Sequence, residues 1–186
     1  MVNDVTLSKT LSHALRHAPE DYGLQLDGGG WADLEQVRNA VSAAVGAPVA
    51  LDDIERVIDE SPKRRFESDG VSIRAAYGHS IEGRIGHPIA TEVPETLFHA
   101  TAPRVLPAIL SEGLRTMGRQ YVHLAVDRDV AVRVGRRKSA DPVLLSVDVA
   151  TFQADGHQLF TAGPYIFLAD NVPAEYLVVE GGESAA

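Results

Sequence analysis

Arg16 and His17 stand side by side at the end of a leucine-spaced stretch and just before Pro19. The pair joins a permanently charged fork of N–H donors to a ring that exchanges a proton near neutrality. Such a pair can hold an anion. It can equally be an ordinary C-terminal helix cap, because that end of a helix favours cations. Further arginines cluster, with Arg64 and Arg65 after Lys63, and Arg133, Arg136 and Arg137 before Lys138. The chain has 17 basic against 26 acidic residues, a net charge of −9. Broad non-specific binding to nucleic acid is therefore not expected, and any anionic ligand must be met by a local group of cations. Solvated surface is the competing reading of each cluster. His99 and His123 lie in apolar, strand-like runs, where histidines satisfied within the core are the alternative to a ligand-binding pair. No carboxylate or third histidine stands at ligand spacing beside them, so no metal is expected. The chain has no cysteine, which excludes thiolate nucleophiles, disulfides and Cys-based zinc sites.

These residues need elements to hold them. Leu7, Leu11 and Leu15, with Ala14 and Ala18 beside them, give one apolar helical face. Arg16 and His17 fall off that stripe and are expected to face away from the core it joins, and Pro19 is expected to end the helix. Asp27-Gly28-Gly29-Gly30 reads as a turn. Trp31, Leu34, Val37 and Val41 then have helical spacing, closed by Gly46 and Pro48. Leu51, Ile54, Val57 and Ile58 form a third helical face that Ser61-Pro62 ends. Alternating runs on either side of Asp69-Gly70 predict a hairpin. Three helices and a hairpin are the order of a winged helix, often used on nucleic acid.

From Gly78 to Pro94 the periodicity weakens, as in a linker or mobile loop. The second half reads as a strand at 96–101, a helix from Val105 to Gly113 disturbed by Pro107, and a strand at 121–126. A short helix capped by Asp127 follows, then β segments at 143–147, 165–168 and 176–179. The final Gly-Gly-Glu-Ser-Ala-Ala is expected to fray. No apolar run approaches a membrane span and no signal-peptide pattern is present, so a cytoplasmic monomer is expected.

Several blocks in order resemble the NAD-dependent RNA 2′-phosphotransferases. They are Leu7-Ser8-Lys9 with Leu15-Arg16-His17-Ala18-Pro19, Gly30-Trp31, Arg65-Phe66-Glu67, and Ile73-Arg74-Ala75 with Gly78-His79-Ser80. Leu97-Phe98-His99-Ala100-Thr101, Arg119-Gln120-Tyr121-Val122-His123-Leu124 and Val172-Pro173-Ala174-Glu175-Tyr176-Leu177 continue the series. The resemblance implies an α+β protein with a winged-helix RNA lobe at 1–80, a linker at 81–94, and an ADP-ribosyltransferase-like mixed α/β lobe at 95–186. It implies NAD as co-substrate and an RNA bearing a 2′-phosphate, such as a transfer RNA, as partner. In the implied reaction the RNA 2′-phosphate displaces nicotinamide from the ribose. The ribose 2″-hydroxyl then attacks the phosphate, which releases 2′-hydroxyl RNA and ADP-ribose 1″,2″-cyclic phosphate.

Carried onto this sequence, the resemblance makes Arg16, His17, Arg65 and Arg119 the catalytic group, with Arg119 supplied by the NAD lobe. Arg64 is the rival to Arg65, since neighbours in a strand face opposite ways. His99, Thr101, His123 and Ser80 would contact NAD, and His79 would line the cleft with Ser80. The chain departs from the family pattern at Ala100, at Tyr77, in Gly135–Ala140, and at Pro164-Tyr165-Ile166-Phe167. Two other functions fit the same blocks. One is an ADP-ribosyltransferase acting on terminal phosphates of RNA or DNA, and the other a non-catalytic module that binds nucleic acid or ADP-ribose.

Overall fold

The computed structural model describes residues 2–60 and 64–181. The expected stop at Ser61-Pro62 and most of the C-terminal tail lie outside these residues. The fold is α+β, with helices packed on two antiparallel sheets, and it divides into two units. One comprises residues 1–87 together with Gly118–Gln120, and the other Pro88–Met117 with the chain from Tyr121 onward.

In the first unit, α1 spans Asp4–Arg16, with the Asn3 side chain accepting from the Val5 N–H. Leu7, Leu11, Ala14 and Leu15 are fully buried, as their spacing requires. Burying a leucine side chain contributes roughly 1.5–3 kcal/mol, so this stripe fixes the rotation of α1. Ala18 leaves helical geometry ahead of Pro19, which begins a 3-10 turn, Pro19–Tyr22. Trp31 does not start the second helix. Trp31–Asp33 is a short strand, β1, and α2 runs Leu34–Val45 with Asp33 as its cap. Helical spacing alone cannot reveal a three-residue strand whose partner lies far along the chain. Helix α3 covers Leu51–Asp59. Strands β2 (Phe66–Ser68) and β3 (Ser72–Ala75) form the expected hairpin, with Asp69 Oδ1 accepting from the N–H groups of Val71 and Ser72 at 2.9 and 2.7 Å. The sheet order is β1-β3-β2.

In the second unit, β4 (Thr96–Thr101) leads through a 3-10 turn to α4 (Leu106–Glu112). Pro107 sits in the first turn of α4, where its missing N–H has no helical partner to lose, so it starts the helix instead of disturbing it. Then come β5 (Val122–Ala125), α5 (Arg128–Gly135) capped by Asp127, β6 (Val143–Asp148), α6 (Val149–Ala154), β7 (Phe160–Thr161), β8 (Ile166–Ala169) and β9 (Leu177–Val179). Tyr176 belongs to a 3-10 turn ahead of β9. The strands form one antiparallel sheet in the order β7-β8-β5-β4-β6-β9. Strand β4 is zipped to β6 from Thr96↔Asp148 to Thr101↔Val143, yet meets β5 at the single register pair Phe98↔Ala125. Among the described residues no helix is long and apolar enough to cross a membrane.

Candidate active site

Arg16 is the first surprise of the site. It lies off the leucine stripe, but it is only 8% exposed and does not face solvent. Its guanidinium stacks over the rings of Phe66 and Tyr77, 5.5 and 5.2 Å from their centroids. Its Nη2 donates to the Arg65 carbonyl at 3.1 Å, while its buried Nε has no hydrogen-bond partner. Burial lowers the Arg16 pKa to about 10. Arg65 and Arg119 push in the same direction and Tyr77 opposes them. The group is still a cation at neutral pH, and it is desolvated.

Arg65 directly precedes β2, so strand alternation does not separate it from Arg64. The backbone does so: Arg64 has φ of +37° and is exposed, while Arg65 is half-buried with its guanidinium reaching Ser8 Oγ at 3.4 Å. Arg119 packs within the first unit, and its guanidinium donates to the Gly78 carbonyl. Gly78 has φ of +92°, and a Cβ placed on it would lie 3.1 Å from Arg119 Nη1 and 3.5 Å from Arg16 Nη1.

His17 is half-buried. Its Nδ1 is hydrogen-bonded to Ser80 Oγ at 2.8 Å, and the Ser80 N–H donates to the Arg16 carbonyl at 2.9 Å. Burial first, then Arg119, Arg16 and His13, lowers the His17 pKa, so the ring is neutral near pH 7. A recess of about 480 Å³ opens beside it, lined by Pro19, Leu26, Ser80 and Ile81 and also by Glu20 and Glu82. His79 lines no open face, being only 2% exposed. Burial, with lesser contributions from His87, Arg16, His17 and Arg74, pushes its pKa down to about 3.

The contrast with Arg74 shows what is unusual. Arg74 pairs with Glu67 at 2.7 Å and stacks on Trp31, as a structural arginine does. Among the described residues, ion pairs hold Arg38, Arg56, Arg74, Arg115 and Arg128, and none joins a carboxylate to Arg16, Arg65 or Arg119. Three guanidinium groups brought together without a carboxylate repel one another, and an anion with several acceptor oxygens relieves that repulsion. Sequence reasoning missed Ser8, Phe66 and Gly78 as the parts that hold these arginines. Phe66 and Gly78 stand next to Arg65 and His79 in the chain, but adjacency carries no sign of the contact.

In the second unit, His99 Nδ1 lies 3.1 Å from the His123 carbonyl, which can only accept, so Nδ1 carries the proton. Burial lowers the His99 pKa more than this bond raises it. In the neutral ring Nε2 is then an acceptor. Thr101 is 8% exposed and His123 half-buried. The Ala100 methyl is taken up by packing against α5, where a Cβ on Gly135 would come within 2.7 Å of it. In the altered block, Phe167 joins the core and Tyr165 is 44% exposed. Arg133, Arg136, Arg137 and Lys138 are exposed around the end of α5. No group of three or more His, Asp or Glu side chains that could hold a metal occurs among the described residues.

A sequence model described as the RNA 2′-phosphotransferase, Tpt1 / KptA family matches residues 2–171. The chain belongs to this family. Relatives named “Probable RNA 2′-phosphotransferase” include one from Agrobacterium fabrum, 46% identical over 180 residues, covering 96% of this chain and 95% of the relative. Another, from Streptomyces coelicolor, is 44% identical over 173 residues and 93% of each chain. The Thermococcus kodakarensis relative is 36% identical over 173 residues, covering 93% of this chain and 95% of its own. Family membership thus extends across both units of the fold, from the Arg16-His17 helix to the strands carrying His99 and His123.

Proposed function

We propose that the protein removes an internal RNA 2′-phosphate by transferring it to NAD, through an ADP-ribosylated RNA. One observation carries the reading. Arg65 and Arg119 gather around Arg16, next to His17, with no carboxylate paired to any of the three among the described residues, and the Arg16 Nε is buried without a partner. A phosphate monoester carries about −1.5 to −2 charge and three acceptor oxygens, which suits such a set. Arg16, His17 and Arg65 hold the RNA 2′-phosphate while one of its oxygens attacks the ribose carbon bearing nicotinamide. Nicotinamide leaves as a neutral molecule, so this step needs orientation more than acid catalysis. In the second step the neighbouring ribose 2″-hydroxyl attacks the phosphorus and the RNA 2′-oxygen leaves. Charge then builds on the phosphoryl oxygens, where Arg119 stabilises it, and His17 exchanges the proton.

NAD is the co-substrate in this reading. The neutral, Nδ1-protonated His99 presents an Nε2 acceptor suited to a ribose hydroxyl, and Thr101 supplies a hydroxyl on the same strand. His123 and Ser80 complete the proposed contacts. The first unit acts as the winged-helix RNA lobe and the second as the ADP-ribosyltransferase-like lobe.

Incubation with NAD and a 2′-phosphorylated oligonucleotide, followed by mass analysis, tests the proposal. Loss of phosphate with formation of ADP-ribose 1″,2″-cyclic phosphate is expected. Stable addition of ADP-ribose without phosphate loss would instead establish a transferase that stops after the first step.

A further inference from the structure

We infer that Gln120 is the positioning residue for Arg119, a clamp that sets where this guanidinium stands in the site; the inference rests on the proposed two-step reaction. Residue 119 lies in a stretch without helix or strand, and Arg119 itself is an exposed side chain. An arginine outside helix and strand is not held by regular structure, and the contacts of its neighbours fix its backbone. Gln120 does so through four hydrogen bonds. Its backbone N–H donates to the His79 carbonyl at 3.2 Å. Its side-chain Nε2 donates to the carbonyls of Ile81 and Gly83 at 3.1 and 2.6 Å, and its Oε1 accepts from the Ile85 N–H at 2.9 Å. Arg119 meanwhile bonds the carbonyl of Gly78. Two successive residues thus grip one continuous segment, the arginine at its start and the glutamine along the rest.

The pattern demands a carboxamide. Two acceptors and one donor must be met at once, and a glutamine head group carries both functions. A glutamate there would set its oxygens against the carbonyls of Ile81 and Gly83 and give up both donated bonds. The gripped segment also includes Ser80, which bonds His17, and His79, which is buried. Gln120 therefore ties Arg119 to the same piece of backbone that orients His17.

The test compares Gln120→Ala and Gln120→Glu with Arg119→Ala on a 2′-phosphorylated oligonucleotide and NAD. If Gln120 acts through Arg119, formation of the ADP-ribosylated RNA slows far less than its conversion. Its conversion slows by about tenfold to a hundredfold, the cost of a small misplacement. The intermediate then accumulates, and the Arg119→Ala/Gln120→Ala double variant is no slower than Arg119→Ala alone. Equal loss in both steps, or losses that multiply in the double variant, would overturn the inference. A second readout needs no catalysis. In Gln120→Ala the Ile85 amide should exchange faster and the Arg119 Nε–H NMR signal should shift as its bond to the Gly78 carbonyl loosens, with the amides of Leu11 and Ile54 still protected. An unmoved Arg119 signal would also overturn it. Should the wild-type protein fail to remove a 2′-phosphate, the proposed reaction falls while this NMR comparison still decides the clamp.

Discussion

The Arg119 guanidinium donates to the carbonyl of Gly78, a residue whose lack of a side chain leaves room for it. With φ at +92°, an alanine at 78 would also be strained whatever the space around it. Gly78→Ala should lower stability by about 1–3 kcal/mol, as read by urea or thermal unfolding. It should also displace Arg119, the more flexible neighbour. In product analysis the variant should then resemble Arg119→Ala, with ADP-ribosylated RNA accumulating.

Arg16 is a buried cation without an acid, so its stability and activity effects should have opposite signs. Arg16→Met keeps the stem and the packing on Phe66 and Tyr77 but removes the charge. It should raise unfolding stability by about 1 kcal/mol or more, by analogy with replacing buried ionic groups by apolar ones. Activity should vanish. Arg16→Lys keeps a charge but loses the planar fork and the bond to the Arg65 carbonyl. It should cost on the order of 3 kcal/mol of transition-state stabilisation in kcat/KM. A melting temperature for Arg16→Met below wild type would contradict the account.

His79 predicts an acid response. Its pKa is about 3 in the fold against 6.5 for an ordinary histidine, so below pH 6.5 the unfolded chain takes up the proton first. Stability is then lost as pH falls from 6.5, at up to about 1.4 kcal/mol per pH unit for one proton, levelling off near the folded value. His17 and His99, also lowered, add to the slope. The depressed carboxylates, such as Glu180 with its ordinary value of 4.5, act only in more acid solution. Between pH 6.5 and 4.5, His79→Gln should therefore show a shallower loss by about one proton in denaturant titrations. An unchanged slope would rule out His79 as the source.

On the NAD side, His99→Ala removes one proposed acceptor and leaves the His123 carbonyl without this partner. A single hydrogen bond contributes about 1 kcal/mol, so KM for NAD should rise roughly fivefold. The KM for the oligonucleotide should not move. A change confined to the RNA would place His99 elsewhere in the reaction.

Legibility in the sequence followed the range of the interaction. Leu7, Leu11 and Leu15 announce α1 because a helix repeats its own face, and Asp69-Gly70 announces its hairpin because the turn is local. The burial of Arg16 was not legible: Phe66 and Tyr77, which cover it, come from β2 and the segment after β3. Strand β1 was hidden for the same reason, since Trp31 looks helical until Arg74 is placed opposite it. Helix α6 is too short to show a period. Arg119 was picked out only through the family resemblance, and neither its spacing nor its neighbours foretold its packing with the first unit.

The six-stranded sheet is fastened unevenly. A row of backbone bonds makes a sheet stiff in torsion, and between β4 and β5 that row shrinks to Phe98↔Ala125 and the strut of the His99 ring on the His123 carbonyl. In backbone pairing, β7-β8-β5 and β4-β6-β9 are two panels sharing one rivet, with α5 packed across the joint. Backbone pairing alone therefore resists shear along that seam less than along the joint of β4 with β6. His99 and His123, the histidines of the proposed NAD contacts, stand on either side of that seam, so a ligand held by both would bridge the two panels.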